Sequence, residues 1–465
     1  MTFNLSEETI CAIATPSGIG AISIIRISGK KTFQIIERIF KPRSKKIIFS
    51  DLKPFSIIYG HLIFENEIID EVLVSVFKTP NSYTGENCIE ISCHGSIYIQ
   101  HKILEILIKC GAVLAKPGEF TMRAFFNGKL DLSQAEAVAD LISSSSQSAH
   151  KVAINQLRGG FSNDIKKLRT ELLDFASLIE LELDFSEEDV EFADRKKLNI
   201  LIENIKNEVN KLINSYKLGN VIKTGIPVAI IGKTNVGKST LLNAIINEDK
   251  AIVSEIPGTT RDSIEDTFVI NGVIFRFIDT AGLRDSEDEI EQIGISRTYE
   301  NIKKASIILY VVDIAETTVD EINNNIKDLK NIIADESKKI ILVANKIDKL
   351  VDVPKGGKQL FEMETVFVSA KRKENIHLLS EVILKAVNLN VGNDETIVTN
   401  IRHYEALLNA SDSILNIVKG VENGISGDLL SIDIHQTLYY LGEITGQVTV
   451  DEILENIFSK FCIGK

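Results

Sequence analysis

The sequence predicts an α/β domain inserted into a helical one, with a mixed α+β domain ahead of both. Three observations carry this. Residues 1–125 alternate β-rich runs with turn signals. From Leu132 to Tyr216, and again beyond about residue 388, apolar residues recur at helical spacing. Between these helical stretches the apolar run Ile226–Ile231 leads into Gly232-Lys233-Thr234-Asn235-Val236-Gly237-Lys238-Ser239, which fits G-x-x-x-x-G-K-[ST]. The boundaries fall at 1–125, 126–222, 223–387 and 388–465, with the second and fourth segments forming one discontinuous helical domain.

In the first segment the expected strands are Thr9–Thr15, Ala21–Ser28, Phe55–Phe64, Glu71–Lys78 and Cys88–Ser92. Ile97–Lys109 reads as a helix that stops at Gly111. Charged residues are few inside these runs, so Arg26 and Glu86 stand out. Taken by residue type, each is expected at a strand end, in water. The helical segment reads as SQAEAVADLISSSSQSAHKVAINQL, FSNDIKKLRTELLDFASLIELEL and KLNILIENIKNEVNKLINSY. The acidic stretch Phe185–Glu191 reads as a solvated loop or cap. Lys217-Leu218-Gly219-Asn220 is expected to break the last helix before the phosphate-loop strand.

Composition limits the function classes. At 465 residues, 44% hydrophobic and 25% charged, the chain can bury about three cores. No apolar run reaches the roughly 18 residues of a membrane span. Acidic Glu7 and Glu8, with no basic stretch, are unlike a signal peptide. Five cysteines (Cys11, Cys88, Cys93, Cys110 and Cys462) lack zinc spacing, and their odd number argues against a disulfide framework. A reducing cytoplasm is therefore expected. The net charge of −13 opposes indiscriminate nucleic-acid binding, so an RNA ligand would need a local basic surface.

The inserted domain carries the chemistry. The loop glycines permit a tight turn, and backbone N–H groups across Asn235, Val236, Gly237, Lys238, Ser239 and Thr240 would meet phosphates at a helix N-terminus. Lys238 would reach the β- and γ-phosphates and Ser239 would hold Mg²⁺. Val273–Ile278 is a strand ending in Asp279-Thr280-Ala281-Gly282. There Asp279 can hold Mg²⁺ through water, and the Gly282 N–H can meet the γ-phosphate. Asn271-Gly272 signals a type I′ hairpin, so the strand around Glu265–Ile270 should run antiparallel to the next. Ile307–Asp313 and Ile340–Ala344 read as buried strands. The latter leads into Asn345-Lys346-Ile347-Asp348, where the Asp348 carboxylate can accept from guanine N1–H and the exocyclic amine, a pairing adenine cannot make. Ser369-Ala370-Lys371 supplies a backbone contact to the base. In this order, at strand ends, the set resembles a Ras-like GTPase domain.

Pro257-Gly258-Thr259-Thr260-Arg261-Asp262 reads as a switch loop, with Thr260 completing Mg²⁺ coordination and Arg261 a surface arginine rather than an arginine finger. Leu283 follows the Asp279–Gly282 stretch, where many GTPases place a water-orienting glutamine. Leucine cannot do that work, and a cation between the β- and γ-phosphates can replace part of it. Asn235 offers a side-chain carbonyl, and Ser254 and Ile256 offer backbone carbonyls, although Asn235 is also an ordinary turn former.

Together with the segments ATPSGIGAISIIRISG, NSYTGENCIEISCHG, PGEFTMRAFFNGKLDLSQAEAVADLI and the closing Cys462-Ile463-Gly464-Lys465, these features resemble the tRNA modification GTPase family MnmE (TrmE) along essentially the whole chain. The resemblance implies an N-terminal α+β folate-binding domain that forms a homodimer, a discontinuous helical domain, and a potassium-activated G domain. It implies a FAD-dependent partner, MnmG (GidA), joined in a heterotetramer. It also implies tRNA as substrate, carrying an aminomethyl or carboxymethylaminomethyl group added at C5 of the wobble uridine. The carbon would come from 5-formyl- or 5,10-methylene-tetrahydrofolate.

By motif match, folate would meet Arg26, Glu86, Lys129 and Lys465. K⁺ would meet Asn235, Ser254, Ile256 and Thr259, and Mg²⁺ would meet Ser239 and Thr260. Glu291, just before Gln292 and the Ile293-Gly294-Ile295 triplet, would activate water, although Asp285–Glu291 is also a plain charge run. Ser17-Gly18-Ile19-Gly20-Ala21 departs from the more basic or glycine-rich form common in the family. Cys462 beside Lys465 invites a nucleophile reading, and a structural or folate-neighbour role is preferred. The alternative function is a GTP-switched ribosome-assembly factor that binds rRNA and has no use for a folate site.

Overall fold

The computed structural model describes residues 8–43, 47–184, 195–248, 267–278, 301–333, 338–350, 360–361, 363–387, 396–423, 425–448, 451–459 and 461–464. The chain divides into two compact units. One comprises residues 1–139, 156–202 and 412–465, and the other 140–155 and 203–411. Among the described residues no helix is long and apolar enough to cross a membrane.

The first unit is built on a seven-stranded sheet. Its strands are β1 (Ile10–Ile13), β2 (Ile22–Ser28), β3 (Phe40–Pro42), β4 (Ser56–Phe64), β5 (Glu67–Phe77), β6 (Cys88–His94) and β7 (Val113–Leu114), in the order β3-β4-β5-β6-β2-β1-β7. All neighbours are antiparallel except β1 and β7. Helices α1 (Thr32–Ile39) and α2 (Ile97–Lys109) cover one face, burying Ile35, Ile36, Ile39, Ile103, Ile106 and Leu107 against Ile25, Ile27, Val74 and Ile91. Alternation puts Arg26 and its register partner Glu90 on the opposite face. Arg26 is therefore mid-strand and largely shielded, not in water at a strand end, because the two-residue period places it beside Glu90.

The chain's own C-terminal segment completes this unit. Helix α3 (Glu119–Phe126) and the start of α4 (Leu132–Ser143) pack against α13 (Asp451–Ser459) through Phe125, Leu132, Ala135, Leu454, Phe458 and Phe461. The long α6 (Gly160–Asp184) packs against α12 (Gly427–Thr445), and Arg169 Nε donates to the Leu438 carbonyl at 3.2 Å.

The second unit holds a six-stranded sheet of order β13-β12-β11-β8-β10-β9. Its strands are β8 (Ile226–Ile231), β9 (Thr267–Ile270), β10 (Val273–Phe277), β11 (Ile307–Asp313), β12 (Lys339–Asn345) and β13 (Thr365–Phe367). All pairs are parallel except the β9–β10 hairpin. The hairpin turns at Asn271 and Gly272, both at positive φ, as a type I′ turn requires. Helices α8 (Lys238–Glu248) and α10 (Ile376–Lys385) cover one face, and α9 (Val319–Ile333) covers the other. All seven residues of β11 are buried, because a parallel strand with helices on both faces reads as a continuous apolar run.

Two helix expectations need correction. The single run expected over residues 133–157 is two helices, α4 and α5 (Gln147–Leu157). Ser144 Oγ donates to the Leu141 carbonyl, and Ser146 Oγ accepts from the Ala149 N–H, so the serines end one helix and cap the next. The expected break at Lys217–Asn220 is absent, since α7 runs unbroken from Arg195 to Thr224. Gly219 serves close approach instead: a Cβ there would sit 2.0 Å from the Val398 carbonyl oxygen. Nearby, Tyr216 stacks on Tyr404 of α11 (Ile401–Glu422) at 4.2 Å.

A glycine-to-alanine change inside a helix usually stabilises by about 0.5–1 kcal/mol. Gly219→Ala should instead destabilise by about 1–3 kcal/mol, because backbone must move to admit the methyl group. Thermal unfolding of the variant checks the sign. Burial pushes the thiols of Cys11 and Cys88 up to about 12 and that of Cys93 to about 11, whereas Cys462 is exposed. A limiting alkylating reagent on the native chain at neutral pH should therefore label Cys462 first and leave those three for the denatured chain, as peptide mapping would show.

Candidate functional site

The phosphate loop joins β8 to α8. Gly232, Asn235 and Gly237 all take positive φ, which turns the backbone around an arc that ends at the first turn of α8. A Cβ on Gly237 would lie 2.5 Å from Asn345 Nδ2, so only glycine fits there. The Lys238 ammonium donates to the carbonyl oxygens of Gly232 and Lys233 at 2.9 and 2.8 Å, which holds it over the loop. Burial lowers the pKa of Lys238. Ser239 lies half-buried in the first turn of α8, followed by exposed Thr240, and Val236 is buried under the loop.

The residues expected on the base side lie at neighbouring strand ends. Asn345 closes β12 at 2% exposure. Its Oδ1 accepts from the Ala370 N–H at 3.0 Å, and its Nδ2 donates to the Val236 carbonyl at 2.8 Å. One side chain thus ties the phosphate loop to the Ser369-Ala370-Lys371 turn. Lys346, in the left-handed region, donates from Nζ to the Asn235 carbonyl at 2.6 Å. Asp348 accepts from Ser369 Oγ at 2.6 Å, and Ser369 Oγ accepts from the Arg372 N–H at 3.2 Å. The Ser369 hydroxyl holds the Asp348 carboxyl below the usual carboxylate range, so it is ionised at neutral pH and suited to accept paired N–H groups. Lys371 is exposed.

The structure therefore brings Asn235, Val236, Gly237, Lys238, Ser239, Thr240, Asn345, Lys346, Asp348, Ser369, Ala370 and Lys371 to one end of one sheet. The positions expected at Ser254, Ile256, Thr259, Thr260, Arg261, Asp279, Gly282, Leu283 and Glu291 lie outside the described residues, as do Lys465 and the acidic run from Phe185. Sequence reasoning passed over Asp313, whose carboxylate pairs with Lys346 at 2.7 Å. Its signal was a charged residue closing an otherwise apolar strand.

A second cluster forms in the first unit. Arg26 pairs with Glu90 at 2.8 Å and lies over the rings of Tyr83 and Phe120 at 5.3 and 5.5 Å. Its Nη1 donates to the Gly464 carbonyl at 3.3 Å, so the end of the chain rests on this strand. Glu86 accepts from Ser28 Oγ at 2.7 Å and from Arg123 Nη1 at 3.2 Å on each oxygen. Arg123, 1% exposed, also pairs with Glu119 at 2.8 Å and donates to the Glu8 carbonyl. Sequence reasoning missed it, because an arginine in a helical run reads as a solvated charge. Lys129 is exposed, and its stem passes 3.3 Å from where a Cβ on Gly85 would stand, beside Glu86.

A P-loop, an Asn-Lys-x-Asp turn and a Ser-Ala-Lys turn on adjacent strand ends define a guanine-nucleotide-binding P-loop GTPase domain. Comparison with known proteins narrows the class. Residues 9–129 match the family described as GTP-binding protein TrmE N-terminus, and residues 132–462 match that described as MnmE helical domain. The chain is 51% identical over 462 residues to the tRNA modification GTPase MnmE of Flavobacterium psychrophilum, covering 99% of both chains. It is 49% identical over 473 residues to that of Bacteroides thetaiotaomicron, covering 99% of this chain and 100% of the relative. The chain belongs to the MnmE family of tRNA modification GTPases.

Removing the Asn345 amide leaves a buried carbonyl and a buried N–H unpaired, each costing about 1–3 kcal/mol. Asn345→Ala should lower GDP and GTP affinity together, by about 10- to 100-fold. Titration of a fluorescent nucleotide measures this, and an unchanged affinity would show that the loop holds its shape without the tie.

Proposed function

We propose that this chain hydrolyses GTP and couples that hydrolysis to modification of the wobble uridine of tRNA. The reading extends to C5 as the modified position and to an aminomethyl or carboxymethylaminomethyl group as the product. It also takes in a tetrahydrofolate derivative as carbon source, an FAD-dependent MnmG-like partner in a heterotetramer, a homodimer of this chain, and a cytoplasmic setting. The domain limits 1–125, 126–222, 223–387 and 388–465 belong to the same reading. Full-length likeness to relatives named tRNA modification GTPase MnmE supports it.

The single observation that carries it is the hydrogen bond from Arg26 to the Gly464 carbonyl, separated by 438 residues in sequence. A simple GTP switch has no need to fold its C-terminus onto an N-terminal sheet beside Arg26 and Glu90. The Glu86 carboxylate, with Ser28 and Arg123 occupying part of its acceptor capacity, keeps room for a further donor. Lys129 and Lys465 would add cationic partners for an acidic ligand such as a folate. These donors and acceptors suit a polar heterocycle with a carboxylate tail.

In the G domain, oxygen donors at Ser239 and Asn235 are the hard ligands that Mg²⁺ and K⁺ prefer, and the loop bends at Asn235 and Gly237 as a phosphate cradle must. Ser239 and Thr260 would hold Mg²⁺. Asn235, Ser254, Ile256 and Thr259 would hold K⁺, which would supply positive charge to offset that developing on the phosphates. Asp279 and Gly282 would meet the Mg²⁺ water and the γ-phosphate, Asp348 would read guanine, and Glu291 would orient water.

Hydrolysis should be at least about tenfold faster in K⁺ than in Na⁺, and Glu291→Ala should slow it with nucleotide affinity retained. Nucleoside analysis of bulk tRNA from a strain lacking this chain should show the wobble modification lost, and Arg26→Ala should fail to restore it. Unchanged modification in that strain would overturn the proposal.

A further inference from the structure

Asp313 closes β11 after six buried residues and is 3% exposed. A carboxylate placed so deep is costly unless a cation and hydrogen bonds offset the loss of water. Two lysines and one N–H face it. Its Oδ1 accepts from the Ala315 N–H at 3.1 Å, and its Oδ2 lies 2.7 Å from Lys346 Nζ and 3.5 Å from Lys349 Nζ. Lys349 has a nearer partner in exposed Glu316 at 3.1 Å. The close charge on Asp313 is therefore Lys346, and that same ammonium donates to the Asn235 carbonyl in the phosphate loop at 2.6 Å.

An ammonium on a four-carbon stem is strongly hydrated, and a neutral carbonyl alone is a weak reason for it to leave water. The buried carboxylate supplies the stronger one. Two consecutive residues, Asn345 and Lys346, hold two consecutive carbonyls of the loop, Val236 and Asn235. The first link is neutral and buried, and the second depends on Asp313.

We propose that Asp313 is a positioning residue of the nucleotide site: it holds Lys346 on the Asn235 carbonyl and so fixes the phosphate loop where it turns toward Gly237. Asp313 slows nucleotide release through Lys346 and takes no part in reading the base, because Asp348 is held separately by Ser369. The proposal rests on the guanine-nucleotide reading of this site.

The test is a double-mutant cycle on the full chain, following release of a fluorescent GDP analogue by stopped flow. Asp313→Asn should speed release about tenfold, the scale of one charge-assisted hydrogen bond, while preference for GDP over ADP is retained. In a Lys346→Gln background, Asp313→Asn should add nothing further. Asp313→Ser, smaller and uncharged, carries the same expectation if the asparagine variant does not fold. Rate effects that multiply, or release unchanged by Asp313→Asn, would overturn the positioning role alone. Failure of the unaltered chain to bind GDP would overturn the nucleotide reading and this inference with it.

Discussion

The two hydrogen bonds of the Asn345 side chain are the constraint on which the nucleotide site depends. One amide joins the phosphate loop to the Ser369-Ala370-Lys371 turn, from the buried end of β12. Its geometry dictates its surroundings. Gly237 must lack a side chain, and Val236 must present its carbonyl inward. Ala370 must offer its N–H, which the Ser369–Glu374 backbone pairing arranges. Because both ends of the amide are used, Asn345 acts first as a tie between the halves of the site.

The N-terminal cluster uses charge where the nucleotide site uses an amide. Arg123 is the buried centre, pairing Glu119 within its own helix and Glu86 from the loop before β6. Arg26 lies on the sheet face away from α1 and α2, paired across strands with Glu90 and reaching the Gly464 carbonyl. Buried arginines hold carboxylates well because the guanidinium is always charged and donates along several directions. Glu86 thereby keeps its carboxylate fixed, next in sequence to Gly85, against which the stem of Lys129 lies. Apolar packing of Phe458 and Phe461 against Phe125 and Leu132 brings the C-terminal segment to the same unit.

The sequence by itself determined what depends on local spacing. The phosphate loop, the Asn271-Gly272 hairpin and the buried strand Ile307–Asp313 are readable because turn chemistry and side-chain period act over a few residues. Motif order likewise singles out Asp348 and Ser369 as expected base-side groups, and the two share a hydrogen bond. Family likeness rested on the same kind of local segments, from ATPSGIGAISIIRISG to the closing CIGK.

Only the tertiary structure decided the rest, since it depends on residues far apart in the chain. Gly219 reads as a helix breaker until Val398 is seen against it. Arg26 reads as a strand-end charge until the β2–β6 register sets it beside Glu90, and Gly464 arrives from the other end of the chain. Asp313 and Arg123 read as ordinary charges because a single side chain does not announce its partner. Burial turned both into anchors: removing water from a charge raises its cost steeply, so each charge must hold a specific neighbour in place.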